Sequence, residues 1–301
     1  MLFESDPVKT IAVAGAVGGA TDNNGTKASV GSAIVNRLLE TKVKVIVLVR
    51  ASSASLPRVT ELRTKGAQIA LVDYSDPLSV ESALQGVDIV VSALAGGGLG
   101  LQTVLADAGK AAGVKLFVPS EFGMDSTKLT QDSPMYKKRE VQLYLDNIGL
   151  PYVKFFSGLF ADWISLFLKV NTGQVEIVGS DDPLIDFTSI GDVASFVTHA
   201  LTTIPISDLA GQTFRLSGSR TSLIKLIPYI EKKQSSAGPK LRVVRVSVDD
   251  SLSRFKAKGD FLSLVKAKWA MGDGLLGTDE QVGESRKAFS GWDPVSVETF
   301  I

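Results

Sequence analysis

Gly15-Ala16-Val17-Gly18 follows directly on the apolar run Ile11 to Ala14, and Val30-Gly31-Ser32-Ala33-Ile34 opens the helical segment beyond it. Such residues suit a pyrophosphate. With no bulky side chains at Gly15, Gly18 and Gly31, backbone amides can approach phosphate oxygens, and the amino end of a helix adds partial positive charge. A compact fingerprint has a single residue between Gly18 and Val30, whereas here residues 19–29 form an eleven-residue polar insertion, GATDNNGTKAS. The insertion has little apolar surface to anchor it. It is expected to be mobile without a nucleotide, and three alternatives stay open for it: folding over the ligand, extending into solvent, or spoiling the anion nest.

The next apolar run ends in Val49-Arg50-Ala51-Ser52-Ser53. A site for NAD places Asp or Glu here to bond the ribose hydroxyls, and this chain has no carboxylate in the stretch. Arg50, with the hydroxyls of Ser52 and Ser53, suits a ribose 2′-phosphate instead, so the expected cofactor is NADPH. Arg50 stands 19 residues beyond Gly31, against an expected spacing of about 20. Asp73, just after the third apolar run, is expected by the adenine end of the same ligand.

Other chemistries are excluded or unsupported. The chain has 301 residues and no cysteine, which removes disulfides, thiolate metal sites and a cysteine nucleophile. His199, the single histidine, falls in a stretch of ordinary helical character, so a serine triad or a multi-histidine zinc site has little to build on. Asp181, Asp182 and Asp186 lie beside Gly179 and Pro183 and read as turn and capping chemistry, and no metal is expected. Lys plus Arg and Asp plus Glu both total 32, and the basic clusters Lys137-Lys138-Arg139 and Lys232-Lys233 are short, so no nucleic-acid partner is expected. MLFESDPVKT is neither a secretory signal nor an Arg-rich transit peptide, and the uncharged run between Asp88 and Asp107 is interrupted by Gly96, Gly97, Gly98 and Gly100. A cytoplasmic location without membrane contact is expected.

These residues must be positioned by a sheet. Short Val- and Ile-rich runs alternate with segments of helical period, which predicts parallel strands covered on both faces. Strands are expected at Ile11 to Ala14, Val43 to Val49, Gln68 to Val72, Ile89 to Ala93, Leu116 to Val118 and Val153 to Phe156. Val30, Ile34, Val35, Leu38 and Leu39 form one helical stripe facing the sheet. Further helices are expected at Ser79 to Leu84, Leu101 to Ala112 and Tyr136 to Ile148. Beyond Ser157 the pattern predicts an apolar helix from Phe160 to Val170, an acidic turn at Ser180 to Pro183 and a strand-helix unit from Leu184 to Leu201. The last hundred residues include a helical stretch from Ser251 to Trp269. The expected fold is α/β, a Rossmann-type doubly wound parallel sheet over residues 1–156, with a smaller mixed α/β substrate lobe over 157–301 that returns segments to the sheet.

Three stretches carry a resemblance. They are Val47-Leu48-Val49-Arg50, Gly113-Val114-Lys115-Leu116-Phe117-Val118-Pro119-Ser120-Glu121-Phe122-Gly123, and Lys138 followed by Gly149-Leu150-Pro151-Tyr152. From about Thr10 to Ala161, and again at Ser296 to Phe300, the chain resembles the NmrA-like group of atypical short-chain dehydrogenases, and within it the isoflavone reductase-like and phenylcoumaran benzylic ether reductase-like branch. The resemblance implies an NADP-binding Rossmann lobe, a small substrate lobe, and reduction of aromatic or phenylpropanoid-like small molecules; a monomer or homodimer is expected. It places Lys138 on that branch's catalytic lysine, with Lys137 as the alternative register, and Ser120 and Phe122 at the end of strand five, with Phe122 close to the nicotinamide. Phe160, Trp163 and Phe167 then line the substrate side, with plain core as the alternative reading of such a stripe at helical spacing.

Two departures mark this chain: the long glycine-loop insertion, and Gly158 where the branch usually has asparagine. The Tyr-x-x-x-Lys pair of ordinary short-chain dehydrogenases is missing, since Tyr136 is followed four residues later by Glu140. The literal match at Tyr229 and Lys233 reads as a solvated helix face. Three functions remain open: an NADPH-dependent reductase with Lys138 as general acid or base, an NADP-binding redox sensor without catalysis, and a non-redox isomerase or cyclase on the same fold. Sensors of this group generally lack the lysine, so its presence favours catalysis.

Overall fold

The computed structural model describes residues 7–18, 29–168, 173–233 and 241–301. Of the insertion after Gly18, residues 19–28 lie outside the described residues, and Ser29 begins the next helix as its cap. The first half alternates regularly: β1 (Thr10–Ala14), α1 (Val30–Leu38), β2 (Lys44–Arg50), α2 (Pro57–Thr64), β3 (Gln68–Val72), α3 (Pro77–Ala83), β4 (Ile89–Ser92), α4 (Leu101–Ala111), β5 (Leu116–Val118), α5 (Lys137–Ile148) and β6 (Lys154–Phe156). The second half adds β7 (Leu159–Phe160), α6 (Ile164–Leu168), β8 (Gln174–Val178), β9 (Ile185–Thr188), α7 (Ile190–Thr203), α8 (Ile206–Leu209), β10 (Thr213–Arg215), β11 (Ser219–Thr221), α9 (Leu223–Lys233), β12 (Arg242–Val246), α10 (Val248–Lys258), α11 (Phe261–Lys268) and α12 (Asp279–Lys287).

Five strands form one parallel sheet in the order β3-β2-β1-β4-β5. The sheet continues through a parallel bridge between Phe117 and Tyr152, where the Val153 amide donates to the Phe117 carbonyl at 3.0 Å, and β6 then pairs in parallel with β10. This order is that of a Rossmann sheet, with its reversal between β1 and β4. Alternation along a strand sends successive side chains to opposite faces. Ile11 and Val13 join the α1 stripe and α7 on one side, while Ala12 and Ala14 join α3, α4 and α5 on the other. Ile34, Val35 and Leu38 are completely buried, and each such side chain stabilises the fold by about 1.5–3 kcal/mol. The expected doubly wound sheet is therefore the observed one.

The second half of the chain has an apolar cluster of its own, built on Ile164, Phe167, Val175, Ile177, Leu226 and Trp269. Two expectations are corrected there. The stretch from Phe160 is not one helix: Leu159 and Phe160 pair with Phe187 and Thr188 as β7 on β9, Ala161–Trp163 makes a single tight turn, and among the described residues of the stretch Ile164–Leu168 is α-helical, with residues 169 and 170 outside them. Asp162 is withdrawn from helical duty because its carboxylate accepts from the Ile190 amide at 2.7 Å and so helps to cap α7. The stretch from Ser251 to Trp269 breaks at Gly259, where Asp260 caps α11 by accepting from the Ser263 amide. A helix not expected from the sequence, α2, starts on Pro57 and buries only Val59 and Leu62.

Candidate active site

The carboxyl ends of β1, β2, β4, β5 and β6 share one edge, and the expected nucleotide residues gather there. Gly15 has φ +89°, and a Cβ on it would lie 2.4 Å from the Ala93 carbonyl oxygen. A Cβ on Gly31 would lie 2.8 Å from the Gly15 carbonyl oxygen. Gly15 and Gly31 therefore lie close against the end of β4, and among the described residues nothing approaches within 4 Å of a Cβ built on Gly18. At the start of α1, Ser29 and Ser32 cap each other reciprocally, and the first turn holds no acidic side chain. These features fit a bound pyrophosphate.

Arg50 is exposed at the end of β2 and has no ion-pair partner among the described residues. Ser52, exposed, and Ser53, half-buried, follow in a single helical turn. A second guanidinium, unrecognised from sequence, reaches the first turn of α1: Arg58 Nη1 donates to Ser32 Oγ at 2.8 Å. The only sequence signal for it was Pro57, which favours the first position of a helix and so places Arg58 in its opening turn. Asp73 lies one residue past Val72, the register partner of Arg50. Its carboxylate accepts from the Ser75 hydroxyl at 2.6 Å and the Ser75 amide at 2.9 Å, which holds it below the usual carboxylate range. Burial pushes the neighbouring Tyr74 phenol up to about 12, against the charge of Arg50.

The other end of the site is the loop after β5. The Ser120 amide donates to Gln102 Oε1 at 2.8 Å, from a glutamine that is itself buried. Phe122 is buried in the same apolar cluster as Ala16, Val118 and Phe160. Lys138 is half-buried on α5, and its ammonium donates to the Glu121 carbonyl oxygen. Burial holds its pKa below the ordinary lysine value, against the opposing attraction of the Glu121 charge. Lys137 turns to the outside and pairs with Glu140 at 2.8 Å, as the 100° step between adjacent helical residues requires. The Gly123 carbonyl accepts from both the Ser157 and Gly158 amides, at 3.0 and 3.1 Å, which fastens this loop to the β6–β7 turn. At that turn Gly158 has φ +64°, and a Cβ on it would lie 2.1 Å from the Asp186 carbonyl oxygen. No side chain fits there on this backbone, so the departure from asparagine is a steric necessity here. The buried hydroxyls of Ser92 and Ser157, at the carboxyl ends of β4 and β6, have no hydrogen-bond partner among the described residues.

The aromatic stripe divides. Phe160 and Trp163 meet edge to face at 5.1 Å on the Phe122 side, whereas Phe167 is 3 % exposed and packs on Trp269 at 5.1 Å. Phe167 is a core residue of the cluster around Trp269 and stands apart from the other expected site residues. The acidic group is structural: Asp186 is fully buried and accepts from Arg220 Nε and Nη2 at 2.9 Å each, from the Ser217 hydroxyl at 2.6 Å and from the Leu276 amide at 2.8 Å. Asp182 accepts from the Ser222 hydroxyl at the start of α9. His199 stacks on Phe289 with ring centroids 3.8 Å apart, and Tyr229 lies half-exposed on α9.

Residues 7–276 match the model of the NmrA-like family. The chain belongs to the NmrA-like family. Pinoresinol reductase 1 of Arabidopsis thaliana is 31% identical to it over 153 residues, 45% of this chain and 48% of the relative. An asnovolin J 5',6'-dehydrogenase of Aspergillus novofumigatus is 29% identical over 181 residues, 58% of this chain and 54% of the relative. This NmrA-like chain thus spans about half the length of the curated relatives it matches. The solved structure of AtPrR2 with NADP+ and (+)pinoresinol has the same fold, with a TM-score of 0.81 over 98% of both chains at 22% identity.

Proposed function

We propose that this NmrA-like protein is an NADPH-dependent reductase of an aromatic or conjugated small molecule, with Lys138 as its general acid or base. The observation that carries this reading is the placement of the Lys138 ammonium on the Glu121 carbonyl, at the same sheet edge as the glycine turn and the two arginines. Gly15, Gly18, Gly31 and the first turn of α1 would hold the pyrophosphate, and Arg50 and Arg58 with Ser52 and Ser53 the 2′-phosphate. Asp73 would lie toward the adenine, Ser120 and Phe122 toward the nicotinamide. When bound, NADPH supplies a hydride.

The chain's own residues supply the rest. A lysine whose pKa is lowered by burial exchanges a proton with substrate more readily near neutral pH than a solvated one. Phe160 and Trp163 offer aromatic faces and edges, which suit a flat substrate. In this reading residues 1–156 form the nucleotide lobe and 157–301 the substrate lobe, with a small aromatic molecule as the partner. The sequence identity to pinoresinol reductase 1 supports the substrate class, and among the described residues no helix is long and apolar enough to cross a membrane.

Binding titrations with NADPH and NADH, followed by turnover of a panel of aromatic enones, ketones and benzylic ethers, test the reading. Lys138→Met is expected to keep the fold and nucleotide binding and to lose about a hundred- to ten-thousandfold in turnover, while Lys137→Met stays active. Turnover retained in Lys138→Met refutes the lysine mechanism. Failure to bind either nucleotide refutes the reductase.

A further inference from the structure

We infer that Glu121 is the positioning residue for Lys138, its main-chain carbonyl seating the ammonium and its buried carboxylate acting as the counter-charge. The inference rests on Lys138 being the acid or base proposed above. Glu121 is 1 % exposed, and a carboxylate at that depth is costly unless bonded. It has two donors: Ser126 Oγ on Oε2 and Gln142 Nε2 on Oε1, both at 2.6 Å. Gln142 is itself fixed, donating to Ser126 Oγ at 2.7 Å and accepting from Arg139 Nη1 at 2.8 Å. Because Gln142 follows Lys138 by four residues, both lie on the same face of α5, so one helix face presents the ammonium and clamps the carboxylate.

The loop does not need the carboxylate as an anchor. Gly123 already accepts from two amides of the β6–β7 turn, and Asp125 accepts from the Thr127 amide at 3.0 Å while pairing with Arg215 at 3.2 Å. Other charged groups on α5 and on the neighbouring α4 are committed elsewhere. Lys137 pairs with Glu140 on the outer side of α5, Arg139 donates to Gln142, and on α4 Asp107 accepts from the Tyr144 hydroxyl. Among the described residues no lysine or arginine, Lys138 included, forms a direct ion pair with the Glu121 carboxylate, so its charge acts on Lys138 through space while the main-chain carbonyl makes the contact. An opposite charge favours the ammonium while burial favours the amine, so the pair sets the balance between the two forms.

The test reads Lys138 directly, so that it survives failure of the proposed activity. Competitive labelling with trace acetic anhydride, resolved peptide by peptide by mass spectrometry from about pH 6 to about pH 10, gives the amine fraction of Lys138. In Glu121→Gln, which removes the charge and keeps the shape, labelling of Lys138 below the midpoint is expected to rise about tenfold, with other lysines unchanged. Gln142→Leu keeps the carboxylate but withdraws one donor, so a less compensated charge holds the ammonium more firmly and labelling falls. The second variant decides the matter if the first does not fold. A Lys138 profile superimposable on the parent in either folded variant overturns the inference. Loss of turnover in Lys138→Met with these shifts present supports both readings, whereas the shifts without that loss leave Glu121 in place and refute only the lysine chemistry.

Discussion

Arg50 and Arg58 differ in what each must give up to hold a phosphate, and the difference yields a measurable order. A charge-assisted hydrogen bond to a phosphate contributes about 1.5–3 kcal/mol. Arg50 is exposed and unpaired among the described residues, so binding must first order a long side chain at a cost of up to about 2 kcal/mol. Arg58 is half-buried and already held at 2.8 Å by Ser32, so much of that ordering is complete before the ligand arrives. Arg50→Ala is therefore expected at the lower bound, about tenfold weaker NADPH binding, and Arg58→Ala at the upper bound, about a hundredfold. NADH, which lacks the phosphate, should change less than about twofold in Arg50→Ala. Isothermal titration with both nucleotides measures this, with Arg58→Lys as a control that keeps the charge while changing the contact to Ser32. Equal losses for NADPH and NADH in both variants would show that neither guanidinium reads the 2′-phosphate. A silent Arg58→Ala beside a large loss in Arg50→Ala would refute the ordering argument itself.

Two further outcomes follow from the loop and the lysine. Gly158→Ala places a methyl group 2.1 Å from the Asp186 carbonyl oxygen at a left-handed φ, and should lower stability by about 3 kcal/mol in urea unfolding; an unchanged midpoint would mean that the turn relaxes freely. Because burial lowers the pKa of Lys138, the unfolded chain binds more protons than the folded one between the depressed value and about 10.4, so stability rises with pH across that window. The stability of the parent relative to Lys138→Met should therefore grow from neutral pH toward about pH 10 and level off above, and a difference independent of pH would contradict the burial of the ammonium.

The sheet was legible because β1, β2, β4 and β5 are buried on both faces and so read as near-continuous apolar runs. The second helix was not, since Val59 and Leu62 are its only buried residues and two positions make no stripe. Phe160 to Val170 misled for the opposite reason: an apolar run carries no mark of where a strand pairing ends and a helix begins, and that division is set by Phe187 and Ile190, about thirty residues on. In the site, Gly15, Gly31, Arg50 and Lys138 were legible as motif positions. Arg58, Gln102 and Gln142 were not, because each acquires its meaning from a contact 26, 18 or 21 residues away. Phe167 looked like a neighbour of Phe160 by helical spacing, but the residue that claims it is Trp269.

The pairing of β6 with β10 and the packing of α7 against α1 have a consequence for how such a protein can change. A chain cut after Phe156 would leave β6 an open edge and strip Val193, Ala194 and Val197 from the face that covers Ile34 and Leu38. The first 156 residues are thus not a unit that could be cut out intact, because part of the wall of their sheet is encoded beyond residue 190. Exchange of either half alone would expose Ile34 and Leu38 or the β6 edge, so substitutions in surface loops are the changes this architecture tolerates with its core intact.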